Sequence, residues 1–183
     1  MKVIQTAISD VFVVDTDVFI DSRGGFGRFF CAEDLRLLLG ERRIVQINHS
    51  FTVNAGAIRG MHFQRPPHAE RKFVRCLKGK VWDVAVDLRP NSPTYLRWHA
   101  EELSAENRRM MVIPEGCAHG FQAQVECSEL LYLHTDYYSP DDEGGVRYDD
   151  PALKIQWPLP ATDISSRDMS HPLIGKDFLG INI

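Results

Sequence analysis

Short runs of alternating hydrophobic and polar residues, separated by turn residues, make up most of this chain. The strongest alternation follows KFVRCLKGKVWDVAVDLR, which predicts a hairpin with strands at 73–77 and 81–88. Further strands are predicted at RWHAEEL, MMVIP and SELLYLHTDYY, and a glycine-containing turn at EGCAHGF. Many short strands at a spacing of roughly 8–12 residues favour a β-sandwich or barrel, and a jelly roll suits this chain length.

Helical periodicity is rare in the chain. The segment AEDLRLLLGER predicts a helix over 32–43, because leucines recur on one face and Gly40 can end it. Beyond Ser139 the chain is rich in proline, so we expect loops that wrap back over the sheet, with a short helix near 166–170. The predicted fold class is therefore all-β, with a few short peripheral helices.

Length and composition are typical of one globular domain over 1–183. The 183 residues are 44% hydrophobic and 25% charged, and no linker or internal repeat divides them. The net charge of -4 argues against a broad nucleic-acid-binding surface. No segment approaches the ~20 apolar residues of a membrane span, and the N-terminus is predicted to form strands rather than a signal peptide.

The four cysteines, at 31, 76, 117 and 127, lack the C-x-x-C spacing of zinc or redox sites. They are interpreted as small hydrophobic residues with free thiols. Free thiols are typical of a reducing compartment, so a cytoplasmic protein is expected.

Titratable residues interrupt several of the predicted apolar strands. By period two, His62 shares a strand face with Gly60 and Gln64, and Lys72 shares one with Val74. Taken singly, a strand histidine is commonly a hydrogen-bonded core or rim residue, and a lysine is usually exposed. Likewise, Tyr132 alone would indicate packing, and Asp168 alone an N-cap. Together they indicate that the strands line a polar cavity, which the interior of a jelly roll can provide.

Several common kinds of site are absent from the sequence. There is no H-x-H pair for a metal-binding jelly roll, no G-x-S-x-G and no phosphate-binding loop motif. The glycine-rich stretch DSRGGFGRF lacks the lysine and the helix of a phosphate cradle. Arg23, Arg28 and Arg59 remain candidates to bind an anion such as a diphosphate through charge-assisted hydrogen bonds.

Four blocks of sequence carry a family resemblance: QINHSFTVNAGAIRGMHFQ, KFVRCLKGKVWDVAVDLRPNSPTY, ELSAENRRMMVIPEGCAHGF and YLHTDYYSPDDEGGVRYDDPALKIQWP. Together with DSRGGFGRFF and SSRDMSHPL, they resemble the dTDP-4-dehydrorhamnose 3,5-epimerase family over nearly the whole chain. The resemblance implies a cupin-type jelly roll without metal or cofactor. It also implies a homodimer whose subunits share site residues, and an activity on nucleotide-linked 4-keto-6-deoxyhexoses in deoxysugar biosynthesis.

The resemblance also implies roles for individual residues. His62 matches the general base, Asp168 the carboxylate that pairs with it, and Lys72 the lysine beside the sugar carbonyl oxygen. Tyr132 matches the tyrosine that protonates the opposite face of the sugar. The residues that match substrate-binding positions are Arg23, Phe26, Arg28, Gln46, Asn48, Arg59, His119, Tyr138, Ser165 and Arg167.

The chemistry explains why such residues are needed. A 4-keto group acidifies the hydrogens on C3 and C5, because the carbanion spreads onto O4 as an enolate. Imidazole ionises near neutral pH and suits the base, and a carboxylate on its other nitrogen selects the tautomer. A lysine placed at O4 stabilises the developing negative charge, and an acid on the opposite face permits inversion.

The chain also departs from the family pattern. Arg28 stands where the pattern D-x-R-G-x-F-x-E has glutamate, Leu133 replaces a common lysine, and Arg167 occupies another lysine position. The segment GMHFQRPPHAERK differs from the commoner GLHYQ…AQ.K. Other readings therefore remain open: a single-centre epimerase acting on a CDP- or GDP-linked sugar, a non-catalytic sugar-binding cupin, and a metal-dependent cupin oxygenase.

Overall fold

Nearly all regular structure in the computed structural model, which describes residues 1–183, is antiparallel β-sheet. The two short helices are α1 (Arg36–Leu39) and α2 (Ser166–Ser170). The strands are β1 (Lys2–Gln5), β2 (Phe12–Asp15), β3 (Val18–Asp21), β4 (Gly24–Gly27), β5 (Gln46–Thr52), β6 (Ile58–Gln64), β7 (Lys72–Lys78), β8 (Lys80–Asp87), β9 (Trp98–Ser104), β10 (Met110–Ile113), β11 (Cys117–Ala123), β12 (Ser128–His134) and β13 (Glu143–Gly145).

The strands form two facing sheets and one separate hairpin. The six-stranded sheet has the order β1-β2-β10-β7-β12-β5, and the five-stranded sheet has the order β13-β6-β11-β8-β9. Strands β3 and β4 pair only with each other. The all-β fold class predicted from the alternation is confirmed.

The predicted hairpin between β7 and β8 is wrong. The two strands are consecutive, but β7 pairs with β10 and β12 in one sheet, whereas β8 pairs with β9 and β11 in the other. The chain passes between sheets at Gly79, whose φ is +74° and where a Cβ would lie 2.6 Å from Ser128 Oγ. Alternation reports which faces are buried, and a sheet-to-sheet corner shows the same alternation as a hairpin.

The predicted turn at EGCAHGF is also mostly wrong, because Cys117–Ala123 forms β11 at the centre of the five-stranded sheet. Of the two glycines in this segment, Gly116 lies in a turn before β11, and Gly120 marks a close approach of two strands instead. A Cβ there would lie 2.8 Å from the carbonyl oxygen of Arg59 on the neighbouring strand. Glycine in a strand interior commonly has this function.

The first helix is much shorter than the predicted 32–43 and covers only Arg36–Leu39. Leu35, Leu38 and Leu39 pack on the outer face of the six-stranded sheet, against Phe73. So short a helix makes few backbone hydrogen bonds of its own and depends on this packing. The second helix lies at 166–170, as predicted.

The space between the sheets changes from apolar to polar along the strands. On β7 the inward face passes from Cys76 and Val74, which are buried core residues, to Lys72. On β12 it passes from Leu130 to Tyr132 in the same direction. One end of the sandwich is therefore a packed core and the other end is an open, polar cavity.

The proline-rich C-terminal segment wraps over the outside of the five-stranded sheet, as predicted. Leu153, Ile155 and Ile181 pack against outward-facing residues of that sheet, including Met61 and Phe63. All four cysteines are free thiols. Neither helix is long and apolar enough to cross a lipid bilayer.

Candidate active site

The cavity between the two sheets has a volume of about 850 Å³. Its wall brings together most of the residues predicted to act on a substrate, although they are far apart in the chain. Those on the wall are Asn48, Arg59, His62, Lys72, His119, Tyr132, Tyr138, Ser165, Arg167 and Asp168.

His62 and Asp168 form a hydrogen-bonded pair on the side of the five-stranded sheet. His62 Nε2 lies 2.7 Å from Asp168 Oδ1, and the backbone N–H of Gly60 donates to Asp168 Oδ2 at 3.0 Å. Burial alone would raise the pKa of Asp168, but these hydrogen bonds outweigh it and hold the pKa below its ordinary value. The carboxylate is therefore ionised and can only accept, so His62 carries its proton on Nε2 and its free electron pair on Nδ1.

The local sequence explains how the pair is held. Ser165 caps α2 through its hydroxyl, which accepts from the backbone N–H of Asp168 and orients this first turn towards β6. Gly60 has a φ of +115°, and a Cβ there would lie 2.7 Å from the backbone of the adjacent β11. Only glycine permits this approach, so the R-G-M-H order on β6 serves the geometry of the pair.

A second histidine–carboxylate pair lies beside the first. His119, directly opposite His62 in the strand register, has Nε2 at 2.7 Å from Asp83 Oδ1. Both side chains are buried, and burial raises the pKa of Asp83 despite the neighbouring His119. This arrangement gives His119 a fixed orientation on the cavity wall.

Lys72 lies on the opposite sheet in a third group of charges. Its Nζ is 3.3 Å from Glu70 Oε1 and 3.4 Å from the backbone carbonyl oxygen of His62. Glu70 Oε2 is 2.6 Å from His134 Nδ1. Burial would raise the pKa of Glu70, but His134 and Lys72 together keep it below its ordinary value.

Tyr132 projects from the six-stranded sheet, across the cavity from the strand that carries His62. Its hydroxyl is 3.1 Å from Ser50 Oγ, and its ring contacts the rings of His119 and His134. Burial raises the pKa of Tyr132, so the phenol keeps its proton throughout the neutral range. A base and an acid thus reach the cavity from opposite sheets, which is the arrangement that inversion of a carbon centre needs.

A family model described as dTDP-4-dehydrorhamnose 3,5-epimerase matches residues 5–176. The dTDP-4-dehydrorhamnose 3,5-epimerase of Salmonella typhimurium is 44% identical over 181 residues, which is 98% of both chains. The chain belongs to the dTDP-4-dehydrorhamnose 3,5-epimerase family. It is accordingly an isomerase that acts on a carbohydrate, and the resemblance of its sequence motifs to this family is confirmed.

Solved structures of family members have the same fold as this epimerase. The enzyme from Bacillus anthracis, with TDP and PPi bound, aligns with a TM-score of 0.91 and 38% identity over 94% of this chain and 99% of that chain. The dTDP-6-deoxy-D-glucose-3,5-epimerase of Legionella pneumophila, in complex with dTDP-4-keto-L-rhamnose, aligns with a TM-score of 0.92 and 36% identity, over 100% and 98%. A 3'-monoepimerase from Streptomyces bikiniensis is less similar, with a TM-score of 0.85 and 29% identity over 92% and 85%.

The mouth of the epimerase cavity carries further polar groups. Glu143 bonds both Arg167 and the hydroxyl of Tyr138, the latter at 2.7 Å. Burial would raise the pKa of Glu143, but these two partners hold it below its ordinary value. Arg59 is fixed by Thr52 Oγ1 at 3.1 Å and by the carbonyl oxygen of Phe51 at 2.9 Å.

Four predicted substrate-binding residues are not on this cavity wall, and three of them lie on or just after the β3–β4 hairpin. Arg23 and Phe26 belong to the β3–β4 hairpin, where Arg23 pairs with Asp21. Arg28 follows the hairpin and pairs with Asp34. All three residues therefore lie away from the cavity that His62 lines in the same chain.

Gln46 is likewise absent from the cavity wall, but it is connected to the residues there. Its amide nitrogen donates to Asn48 Oδ1 at 3.3 Å, and its amide oxygen accepts from the backbone N–H of Tyr138 at 3.1 Å. It therefore supports two wall residues from behind.

One set of side chains in the epimerase has the composition of a metal site. The ligand atoms of His62, Asp168 and His171 lie within 4.8 Å of one another. The His62–Asp168 hydrogen bond accounts for the shortest approach, and His171 Nε2 is 3.9 Å from the same carboxylate oxygen. Binding a cation here would require His62 and Asp168 to separate.

Sequence reasoning missed four residues of the cavity wall, namely Ser50, Glu70, His134 and Glu143, and also Asp83, which is buried behind His119. Period two could have found two of them, since His134 is two residues after Tyr132 and Glu70 is two before Lys72. Asp83 is on the inward face of β8 with Ala85, but its partner His119 lies in the segment that was predicted to form a turn. No local signal marks Ser50 or Glu143.

Proposed function

We propose that this epimerase inverts C3 and C5 of dTDP-4-keto-6-deoxyglucose through enolate intermediates, in the biosynthesis of an activated deoxysugar. The observation that supports it best is the placement of the His62–Asp168 pair and Tyr132 on opposite sheets facing one cavity. The Legionella relative, whose complex contains dTDP-4-keto-L-rhamnose, supports the same substrate class.

In the proposed reaction, His62 Nδ1 takes the proton from the carbon next to the ketone. Asp168 accepts from Nε2–H throughout, which stabilises the imidazolium that forms. Lys72 has three N–H donors, of which two are directed at Glu70 and at the His62 carbonyl. The third is available for O4, where one preorganised donor contributes about 3–4 kcal/mol to stabilising the enolate.

Tyr132 then donates its phenolic proton to the carbon from the opposite face, and this step inverts the centre. The imidazolium and the phenolate return to their starting states by exchanging protons with solvent. Because the same two groups serve both carbons, C3 and C5 must be presented to them in turn. The proposed steps use only side chains, without metal or cofactor.

The remaining predicted residues are proposed to bind the nucleotide diphosphate. Arg59 and Arg167 provide positive charge at the cavity mouth, and Arg59 is already held by two hydrogen bonds. His119 contacts the sugar. The nucleotide is bound by Asn48, Tyr138 and Ser165, with Gln46 holding Asn48 and Tyr138 from behind.

The proposal is tested by NMR in deuterium oxide with purified protein and dTDP-4-keto-6-deoxyglucose, repeated with the CDP- and GDP-linked analogues. Deuterium is expected at both C3 and C5 of the dTDP sugar, with inversion at both centres, because one base removes both protons. Exchange confined to one carbon would make the protein a single-centre epimerase. Absence of exchange with all three sugars would contradict the proposal.

We further propose that two copies form a homodimer in the cytoplasm, where free thiols such as these four are typical. The β3–β4 hairpin leaves Phe19 and Phe26 75% and 73% exposed, and they are cross-strand partners. The edge strand β5 exposes Ile47 and Phe51 as well. Exposed edges and apolar patches of this kind are typical of interfaces, and docking would bring Arg23 and Phe26 to the cavity of the partner.

Replacing both Phe19 and Phe26 with aspartate is expected to shift the protein from dimer to monomer in light scattering and to raise KM, because charges would replace apolar contact area. The matched control is Leu179→Asp, which changes an equally exposed apolar residue near the C-terminus. If the double variant stays dimeric with an unchanged KM, the β3–β4 hairpin is not part of the dimer interface.

A further inference from the structure

The charged group beside Lys72 continues across the six-stranded sheet as an ordered chain of hydrogen bonds. We propose that Glu70 and His134 are positioning residues that hold the Lys72 ammonium in place for the reaction, as one unit anchored to Gln46 and Asn48. The inference rests on the proposed role of Lys72 at the substrate O4.

The direction of each hydrogen bond follows from one backbone group. The N–H of Tyr138 can only donate, so Gln46 presents its amide oxygen there at 3.1 Å. Gln46 must then use its NH₂ group towards Asn48 Oδ1, at 3.3 Å. Asn48 in turn directs its own NH₂ group at His134 Nε2, at 3.4 Å.

This direction decides the tautomer of His134. Because Nε2 accepts, the neutral ring carries its proton on Nδ1, which donates to Glu70 Oε2 at 2.6 Å. The other carboxylate oxygen of Glu70 is left for Lys72 Nζ, at 3.3 Å. Each link in the chain thus joins one donor to one acceptor, which favours a single arrangement of these side chains.

The strand register supports the same unit. Lys72 on β7 lies opposite His134 on β12, and His134 lies opposite Gln46 on β5. The three residues form one row across three neighbouring strands. Their relative positions are therefore determined by the backbone ladder and not by flexible loops.

The Lys72 ammonium is buried and therefore depends on this network for a partner of opposite charge. The side chains of Glu70, His134 and Lys72 are only 8%, 9% and 11% exposed. Charged groups buried to this degree are normally paired with an opposite charge. His134 bonds one carboxylate oxygen of Glu70, and Lys72 pairs with the other. The Lys72 ammonium is therefore paired with one oxygen only and keeps an N–H donor for the substrate. The other titratable groups that face Lys72 across the cavity or from its own sheet are His62, Asp83, His119 and Tyr132.

The test compares Glu70→Gln with His134→Phe, which keeps a ring against Tyr132 but removes the N–H donor. Glu70→Gln is expected to lower kcat about tenfold with KM nearly unchanged. It should also move the alkaline decline in activity about one pH unit lower, because the ammonium loses its anion. His134→Phe is expected to lower kcat several-fold without that downward shift, since the carboxylate remains. In Glu70→Gln/His134→Phe the two losses should not add.

The matched control is Glu129→Gln. Glu129 also lies between a histidine and a lysine, His49 at 3.0 Å and Lys78 at 3.6 Å, but on the protein surface. It should leave kcat and the pH profile unchanged. Circular dichroism checks that each variant folds, and His134→Phe carries the test if Glu70→Gln does not fold. A downward shift in His134→Phe, or additive losses in the double variant, would overturn the inference.

Lys72→Met separates the inference from the function on which it rests. A loss of kcat of about 10²-fold or more is expected if Lys72 stabilises the enolate. If Lys72→Met shows such a loss but Glu70→Gln keeps the wild-type kcat and pH profile, only the positioning role is refuted. A Lys72→Met variant with normal kcat would instead refute the proposed role of Lys72, and the inference with it.

Discussion

A His62→Asn variant is expected to lose deuterium exchange at both C3 and C5 by about 10²- to 10⁴-fold, the usual contribution of a general base. His62 Nδ1 holds the free electron pair because Nε2 donates to the ionised Asp168 at 2.7 Å. Asparagine preserves some polarity but offers no basic nitrogen. Exchange is measured by NMR in deuterium oxide, and binding of dTDP by calorimetry should survive because the nucleotide groups lie elsewhere on the wall.

The matched control for this variant is His68→Asn. His68 also pairs with an aspartate, its Nδ1 lying 3.2 Å from Asp136 Oδ1, but it is not on the cavity wall. The His68→Asn variant should catalyse deuterium exchange at C3 and C5 at the normal rate. Asp168→Asn should slow exchange as well, because an amide NH₂ group facing His62 favours the wrong tautomer. Near-normal exchange in His62→Asn would assign the base to another residue.

Tyr132→Phe is expected to separate proton exchange from inversion. The base on the opposite sheet can still remove a proton and return deuterium to the same face, so exchange persists with retained configuration. Inversion should fall by about 10²-fold or more, since no phenol remains to protonate the other face. The measurement is deuterium incorporation together with the configuration of the recovered sugar at each carbon.

Tyr95→Phe is the matched control for the phenol. The hydroxyl of Tyr95 donates to the carbonyl oxygen of Phe178, outside the cavity, so its loss tests a hydrogen-bonded tyrosine without access to the sugar. This variant should invert both centres normally. Normal inversion by Tyr132→Phe would show that some other group is the acid.

The pattern of alternation predicted the all-β class, the later strands and the polar interruptions that mark the cavity. Alternation is a local consequence of a half-buried strand, so it can be read without knowing the partner strand. The motifs around His62, Lys72, Tyr132 and Asp168 predicted the family and the residues brought together on the cavity wall. The short helix at 166–170 was predictable as well, and its serine cap places Asp168.

Pairing between strands was decided only in the tertiary structure. The consecutive strands β7 and β8 belong to different sheets. The alternation of residues specifies which face of a strand is buried, but it does not specify which strand pairs with it. The same assembly made β11 a central strand and brought Asp83 to His119. The helix predicted over 32–43 shortened to Arg36–Leu39, because the leucines that pack on the sheet are confined to positions 35–39.

The charged residues around Lys72 show most clearly what the sequence determines and what only the tertiary structure decides. By itself the sequence determined that Glu70 and Lys72 are two residues apart, and that Tyr132 and His134 share a strand face. Only the register between β7, β12 and β5 placed Lys72, His134 and Gln46 in one row. The physical reason is that an ion pair or hydrogen bond depends on distances between strands. Those distances are set by the packing of the whole sandwich, so the local pattern of residues cannot predict them.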